Sequence, residues 1–218
     1  MRFDLDGAGE ADIALTMAVV AGWTARDPAW VAHHIAELAA IGVAAPSATP
    51  LFYRVAPALL TQADSIAVLG DETSGEVEPM LLRHGGALWL GLASDHTDRA
   101  LEAWSVAHSK QVCAKPVART LWPVAPIADR LDALTLRAWI AQGEGWTLYQ
   151  EGPLALIRPL LALEAACPLP EGGAMLCGTL GAIGGVRPAP GFRMALDDAA
   201  SGRGIRAEYR VTPLPAVA

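Results

Sequence analysis

The chain alternates short apolar segments with clusters of Gly, Pro, Asp and Ser, and few stretches keep the period of a long amphipathic helix. That punctuation predicts a strand-rich α+β fold with a few short helices. Residues 13–21 are almost continuously apolar and read as a buried strand. Asp27-Pro28 then opens a helix, because Asp can cap its first N–H groups and Pro suits its first turn. The helix runs to about Ala40, and Gly42 stops it. Ser65–Leu69 reads as a short strand. Residues 76–82 and 87–93 read as a strand pair joined at Arg83-His84-Gly85-Gly86. A second helix is expected over residues 97–108, with Ser94 or Asp95 near its cap, and residues 115–126 contain Pro and read as irregular. Residues 134–141 and 146–150 flank Gln142-Gly143-Glu144-Gly145, a hairpin signature. Pro159 interrupts a helical pattern over residues 154–165. Strands at 174–179, 192–196 and 205–211 complete the set, and the tail from Thr212 reads as irregular.

Composition narrows the function classes. With 218 residues, 53% hydrophobic and 18% charged, the chain can bury a sizeable core and is not a disordered segment. A formal net charge of -7 counts against non-specific nucleic-acid binding and against anionic membranes. Mean hydropathy is positive at +0.32, which raises the question of a membrane span. The apolar run 13–23 contains Thr16 and Gly22 and falls short of the roughly 20 residues a span needs. The start, Met1-Arg2-Phe3-Asp4-Leu5-Asp6, is acidic and unlike a signal peptide, so a cytoplasmic location is expected. Cys113, Cys167 and Cys177 form no C-x-x-C pair and read as buried reduced thiols.

The chemistry concentrates in Gly75-Glu76-Val77-Glu78-Pro79. Alternate residues of a strand share a face, so Glu76 and Glu78 project together. If buried, such a pair needs a cation or a raised pKa, and a hard cation such as Mg²⁺ or Mn²⁺ suits the oxygen ligands. If exposed, it is the solvated face of an edge strand. Asp95 ends the returning apolar run Leu88-Trp89-Leu90-Gly91-Leu92-Ala93 and is either a third ligand or a helix cap. His34 and Glu37 lie three residues apart on one face of the first helix. They form a candidate base with its orienting carboxylate, or an ordinary exposed face; His33 is the adjacent alternative. Lys110 follows the second helix, and a lone Lys is normally exposed. Leu176-Cys177-Gly178-Thr179-Leu180-Gly181 is a small-residue loop that could bring backbone close to a ligand. Neither a dinucleotide fingerprint, a P-loop nor a G-x-S-x-G elbow is present.

In this order the blocks resemble the fumarylacetoacetate hydrolase-like superfamily over nearly the whole chain, and most closely a bacterial branch of unassigned function. Ala21-Gly22-Trp23-Thr24 with His34-Ile35-Ala36-Glu37 resembles its glycine turn and lid helix. Pro50-Leu51-Phe52-Tyr53-Arg54 resembles a segment where the family often has Lys in place of Arg54. Glu76-Val77-Glu78 resembles its metal-binding Glu-x-Glu, and Ser94-Asp95-His96-Thr97-Asp98-Arg99 the block that carries the third ligand. Tyr149-Gln150-Glu151-Gly152 and Leu176-Cys177-Gly178-Thr179 resemble the substrate-side Gln and the Gly-Thr-Pro turn. Departures are Leu180 where Pro is usual, Pro190-Gly191-Phe192 for the closing Gly-Asp, and a Glu78-to-Asp95 separation of 95 − 78 = 17 residues.

The resemblance implies a mixed β-sandwich or roll in one domain over residues 1–218. Residues 1–45 supply a strand and lid-like helix, and residues 46–218 the β-rich catalytic core. It implies Mg²⁺ or Mn²⁺ on Glu76, Glu78 and Asp95, with Ca²⁺ as a crystallisation substitute. His34, Glu37 and Lys110 become catalytic, and Arg54, Gln150 and Thr179 substrate-binding, with Trp23 and Arg187 near the pocket. The implied activity is hydrolysis or lysis of a 2-oxo acid or 1,3-dicarbonyl compound, or a related decarboxylation or isomerisation, by a homodimer. The alternative is a non-catalytic small-ligand-binding protein that retains the fold.

Overall fold

The computed structural model describes residues 1–40 and 45–217, apart from the side chains of His34, Glu37, Leu38 and Ala40. An N-terminal hairpin, β1 (Arg2–Leu5) and β2 (Gly9–Asp12), precedes β3 (Met17–Gly22) and α1 (Pro28–Ala40). Next come β4 (Leu51–Val55), β5 (Leu60–Thr61), β6 (Ser65–Leu69) and β7 (Thr73–Ser74). The hairpin β8 (Val77–His84) and β9 (Ala87–Ser94) leads into β10 (Thr97–Asp98), α2 (Arg99–Glu102) and α3 (Val106–Gln111), followed by β11 (Lys115–Pro116) and β12 (Thr120–Pro123). The rest comprises the hairpin β13 (Thr135–Gln142) and β14 (Gly145–Pro153), α4 (Leu160–Ala166), β15 (Gly173–Leu176), β16 (Gly191–Asp198) and β17 (Arg203–Leu214).

Two large sheets result. One runs β2-β1-β12-β9-β8-β15-β3-β4 and the other β14-β13-β16-β17-β6. Both mix directions: β1 with β12, β3 with β15 and β6 with β17 are parallel, and the remaining neighbours are antiparallel. Val19, Leu81, Leu90, Leu92 and Met175 of the first sheet pack with Leu136, Met194, Leu196 and Ile205 of the second in one core. The other face of the first sheet buries Val20, Met80, Leu82, Ala93 and Leu176 in a second cluster. Phe3 and Leu5 from one end of that sheet and Val55 from the other join the same cluster, so the sheet curls on itself. This is the mixed sandwich and roll expected for the fold class.

The curl explains why β8 and β9 read as apolar runs without alternation: both of their faces are covered. Their two-residue turn is Gly85-Gly86, with φ of 60° and 73°, a geometry that L side chains resist. The register pairs Glu78 with Ala93 and Val77 with Ser94, and the Asp95 N–H donates to the Glu76 carbonyl at 2.9 Å. The position of β8 in the middle of the sheet corrects the edge-strand alternative for Glu76 and Glu78.

Other boundaries moved for physical reasons. The strand expected at 13–21 begins at Met17, because the Ile13 and Thr16 N–H groups are used by the Met1 and Gly172 carbonyls. Asp27 does cap α1, accepting from the Ala29 N–H at 2.9 Å, while Gly42 lies outside the described residues. The helix expected at 97–108 is instead β10 followed by two short helices. Asp98 caps the first through the Leu101 N–H at 2.9 Å and Ser105 the second, so neither Ser94 nor Asp95 is a cap. Residues 115–126 contain β11 and β12, and β17 runs past Thr212 to Leu214 because β6 pairs with it there. No helix among the described residues is long and apolar enough to cross a membrane.

Asp98→Ala should lower unfolding stability by about 1 kcal/mol, the usual worth of an N-cap, and leave divalent-cation affinity unchanged. Urea melts and calorimetric titration check both parts. A loss of cation binding as large as that of Asp95→Ala would contradict the assignment of the cap.

Candidate metal centre

The open end of the β8–β9 hairpin gathers three carboxylates. Strand alternation puts Glu78 on the face that also carries Met80 and Leu82, and Ala93 and Asp95 follow the same parity on the neighbouring chain. Glu76, Glu78 and Asp95 each offer one oxygen, and these atoms lie within 4.8 Å of one another. Glu78 is 2% exposed and Asp95 fully buried, while Glu76 is half-buried. At such separations each ionised pair repels by about 3 kcal/mol at an effective dielectric near 20. Three pairs together rival the net stability of a whole domain, so the cluster requires positive charge or protons.

Among the described residues, three cations face it. Lys110 Nζ, on α3, donates to Asp95 Oδ2, and Lys115 Nζ, on β11, lies 3.0 Å from Asp95 Oδ1. Arg99 Nη2 lies 3.3 Å from Glu76 Oε1, while its Nη1 holds Glu102 and its Nε donates to Ser74 Oγ, both at 2.7 Å. Burial would raise the Asp95 pKa, but Lys110 and then Lys115 outweigh it and hold the carboxyl well below the usual range. Burial likewise opposes the Lys110 charge, and Asp95 with the two glutamates overcomes it, so the ammonium stays protonated. Glu78 behaves in the opposite way. Burial first, and then the Asp95 charge, push its pKa well above the ordinary value, although the Gly178 N–H donates to Oε2 at 2.7 Å.

The donor set fits a hard divalent cation. It is all oxygen, clustered and largely out of water. Asp95 Oδ1 is buried without an aligned hydrogen bond, and Glu78 is ionised only against its environment unless a cation replaces the proton. Glu76, Glu78 and Asp95 would be its protein ligands.

The surrounding polar groups are spent on holding this end of the hairpin. Gln150 Oε1 accepts from the Val77 N–H at 3.0 Å, and Thr179 Oγ1 donates to the Val77 carbonyl at 2.8 Å. Gln150 Nε2 donates to Thr179 Oγ1 and the Leu180 carbonyl. The residue between the two glutamates is thus gripped on both sides, and both N–H donors of the buried Gln150 amide are used within the protein. In this structure Gln150 braces the hairpin end. His96 Nδ1 bonds the Tyr209 hydroxyl at 3.0 Å and Nε2 bonds Thr73 Oγ1 at 2.9 Å; the same hydroxyl meets Ser94 Oγ at 2.8 Å. Burial, with Lys115 and Arg99, pushes the His96 pKa down to about 3, so the ring is neutral. Gly178 has φ of 99°, and a Cβ there would stand 1.7 Å from Thr24 Oγ1.

Not every expected residue reaches the cluster. Lys110 does, and it is buried, contrary to the usual exposure of a lone Lys. Arg54 does not: alternation along β4 turns it toward Met17 Sδ and Cys167 Sγ. Tyr53 points the other way, its ring centroid 5.8 Å from Lys110 Nζ and its hydroxyl accepting from Trp23 Nε1 at 3.1 Å. Trp23 itself has φ of 61°, a strained value for a large side chain. Arg187 donates to the carbonyls of Ile183 and Gly185 in its own loop. The side chains of His34 and Glu37 lie outside the described residues. A cavity of about 320 Å³ sits beside α1 and α4, lined by Arg26, Pro28, Pro50 and Arg158 among others, and none of the three carboxylates lines it. Lys115 was missed, although a single Lys inside the apolar run 112–118 is a signal that could have found it.

The family model described as a protein of unknown function (DUF2848) matches residues 21–209. Among curated proteins no sequence matches. Among solved structures, a Yersinia pestis CO92 protein assigned provisionally to the fumarylacetoacetate hydrolase family is 19% identical, with a TM-score of 0.67 over 97% of this chain and 100% of that one. An Escherichia coli protein provisionally named an isomerase is 17% identical, with a TM-score of 0.66 over 97% and 100%. A 2-keto-3-deoxy-D-arabinonate dehydratase complexed with magnesium and 2,5-dioxopentanoate is 15% identical, with a TM-score of 0.63 over 92% and 74%. The fold is therefore that of the fumarylacetoacetate hydrolase-like proteins.

Two outcomes follow from the site geometry. The raised Glu78 pKa means that the folded protein holds a proton which the unfolded chain releases near pH 4.5. The stability this supplies is complete below that value and is lost as pH rises through the higher folded value. The difference in Tm between the metal-free parent and Glu78→Gln should therefore move against the parent as pH rises, and saturating Mg²⁺ should reverse it. Parallel profiles would contradict the assignment. Gly178→Ala should cost roughly 2–4 kcal/mol in urea melts, because it forces both the positive φ and the Thr24 contact; an unchanged melt would show the loop free to move.

Proposed function

This chain belongs to the DUF2848 family, and from that membership, its fold and its acidic cluster we propose that it is a divalent-metal-dependent enzyme. Its substrate class would be a 2-oxo acid or 1,3-dicarbonyl compound, and its reaction C–C hydrolysis or a related decarboxylation, dehydration or isomerisation. The observation that carries the reading is the convergence of Glu76, Glu78 and Asp95 within 4.8 Å in a largely buried setting. The dehydratase of similar fold, which is complexed with magnesium and 2,5-dioxopentanoate, a 2-oxo acid, supports the 2-oxo acid part of that class.

A bound Mg²⁺ or Mn²⁺ would supply Lewis acidity toward the substrate's carboxylate and keto oxygens. Lys110, held charged beside Asp95, would stabilise negative charge developing on the substrate. Tyr53 and Trp23 form the wall next to Lys110 and would exclude water from that side. His34 with Glu37 on α1 remains our proposed base and its orienting group, on a helix that would close over the site. Gln150, Thr179 and Gly178 would keep Glu76 and Glu78 aimed.

A second reading is a small-ligand-binding protein without turnover. It draws on the two lysines that already face both oxygens of Asp95, so that the cluster is partly neutralised from within.

The test is a screen of acylpyruvates and 2-oxo acids with chelator-treated protein, with and without added Mg²⁺ or Mn²⁺. We expect turnover that falls at least tenfold on chelation and returns with either ion. His34→Ala should abolish turnover and leave ion affinity unchanged. Saturable binding of these compounds without conversion would favour the second reading, and turnover indifferent to chelation would sink the first.

A further inference from the structure

Lys115 is 0% exposed, an unusual position for a lysine. It reaches that position because β11 pairs in parallel with β5 and the chain then returns along β9, with the Val117 N–H on the Thr61 carbonyl and the Ala118 N–H on the Leu92 carbonyl, both at 2.8 Å. The ammonium arrives on the inner side of the Asp95–His96 turn. It donates to the His96 carbonyl and lies 3.0 Å from Asp95 Oδ1. Lys110 occupies the other oxygen of the same carboxylate. The two lysines are not equivalent. Lys110 borders Tyr53 and retains some exposure, whereas Lys115 is sealed and can touch no substrate.

We propose that Lys115 is a positioning residue of the metal centre: an internal cation that holds Asp95 toward Glu76 and Glu78 and offsets one of three negative charges before any divalent ion arrives. Charge accounting favours this over a plain structural lysine. A buried structural lysine needs one carboxylate, and here the carboxylate it faces is the one that also points at two others within 4.8 Å. Without Lys115, the cations that face the carboxylates among the described residues would be Lys110 and an Arg99 shared with Glu102. Removing one partner of a buried ion pair is strongly destabilising, because the other charge is left uncompensated. A divalent ion held by Glu76, Glu78 and Asp95 would supply positive charge to the same cluster. The inference rests on the metal reading and adds a residue to it.

The experiment compares the melting temperatures of the parent, Lys115→Met and Asp95→Asn/Lys115→Met, each metal-free and with saturating Mn²⁺. Lys115→Met should melt about 10 °C below the parent when metal-free, and Mn²⁺ should restore more than half of that loss. The double variant, with neither charge, should regain most of the metal-free loss and show no Mn²⁺ shift. Equal losses with and without Mn²⁺ would make Lys115 merely structural and overturn the proposal, as would a metal-free Lys115→Met that melts with the parent. If Lys115→Met does not fold, a folded double variant supports the proposal, and a double variant that also fails overturns it. The parent's own Mn²⁺ shift is read separately. Its absence defeats the metal reading and the proposal with it, whereas its presence with failed rescue defeats the proposal alone.

Discussion

Like charges brought together out of water set the terms for this molecule. Asp95 is fully buried, faces a lysine at each oxygen, and shares a space of 4.8 Å with Glu76 and Glu78. Such a group persists only if its surroundings hold it and neutralise it together. The surroundings do both. Arg99, Lys110 and Lys115 come from α2, α3 and β11, three consecutive pieces of chain that add little to the two large sheets. Their placement makes sense once the cluster is recognised as what they converge on.

The sheets explain why the cluster can be rigid. β8 lies between β9 and β15, so its backbone is paired on both sides as far as Met80 and on the β9 side down to Val77. Past the end of that ladder, side chains take over: Gln150 and Thr179 grip the Val77 peptide groups, and the Gly178 N–H reaches Glu78. On the other strand, Ser94, His96, Tyr209 and Thr73 form a buried chain of hydrogen bonds that fixes the turn carrying Asp95. A satisfied buried network of this kind fixes position, which is what a ligand set needs.

The sequence carried this site unevenly. Period-two alternation placed Glu76 and Glu78 on one face, and the Gly85-Gly86 turn fixed the register that brings Asp95 opposite Glu76. Those inferences needed only local rules. Whether the pair was solvated depended on what lay beside β8, and β15 comes from nearly a hundred residues away. Arg54 and Tyr53 show the same limit: alternation said that they face opposite ways, and only the pairing of β3 with β4 showed which one meets Lys110. Lys115 was hidden because Pro116 made its segment look irregular, while long-range pairing with β5 made it a strand. The helix expected from residue 97 failed because tertiary pairing of β10 with β7 took its first residues.

The most direct test is a crystal structure of the chain grown with Mn²⁺, with diffraction recorded at the manganese edge. The account predicts an anomalous peak within coordinating distance of carboxylate oxygens from Glu76, Glu78 and Asp95, with Lys115 still beside Asp95. A structure showing the three carboxylates turned apart, or manganese bound only elsewhere, would contradict it.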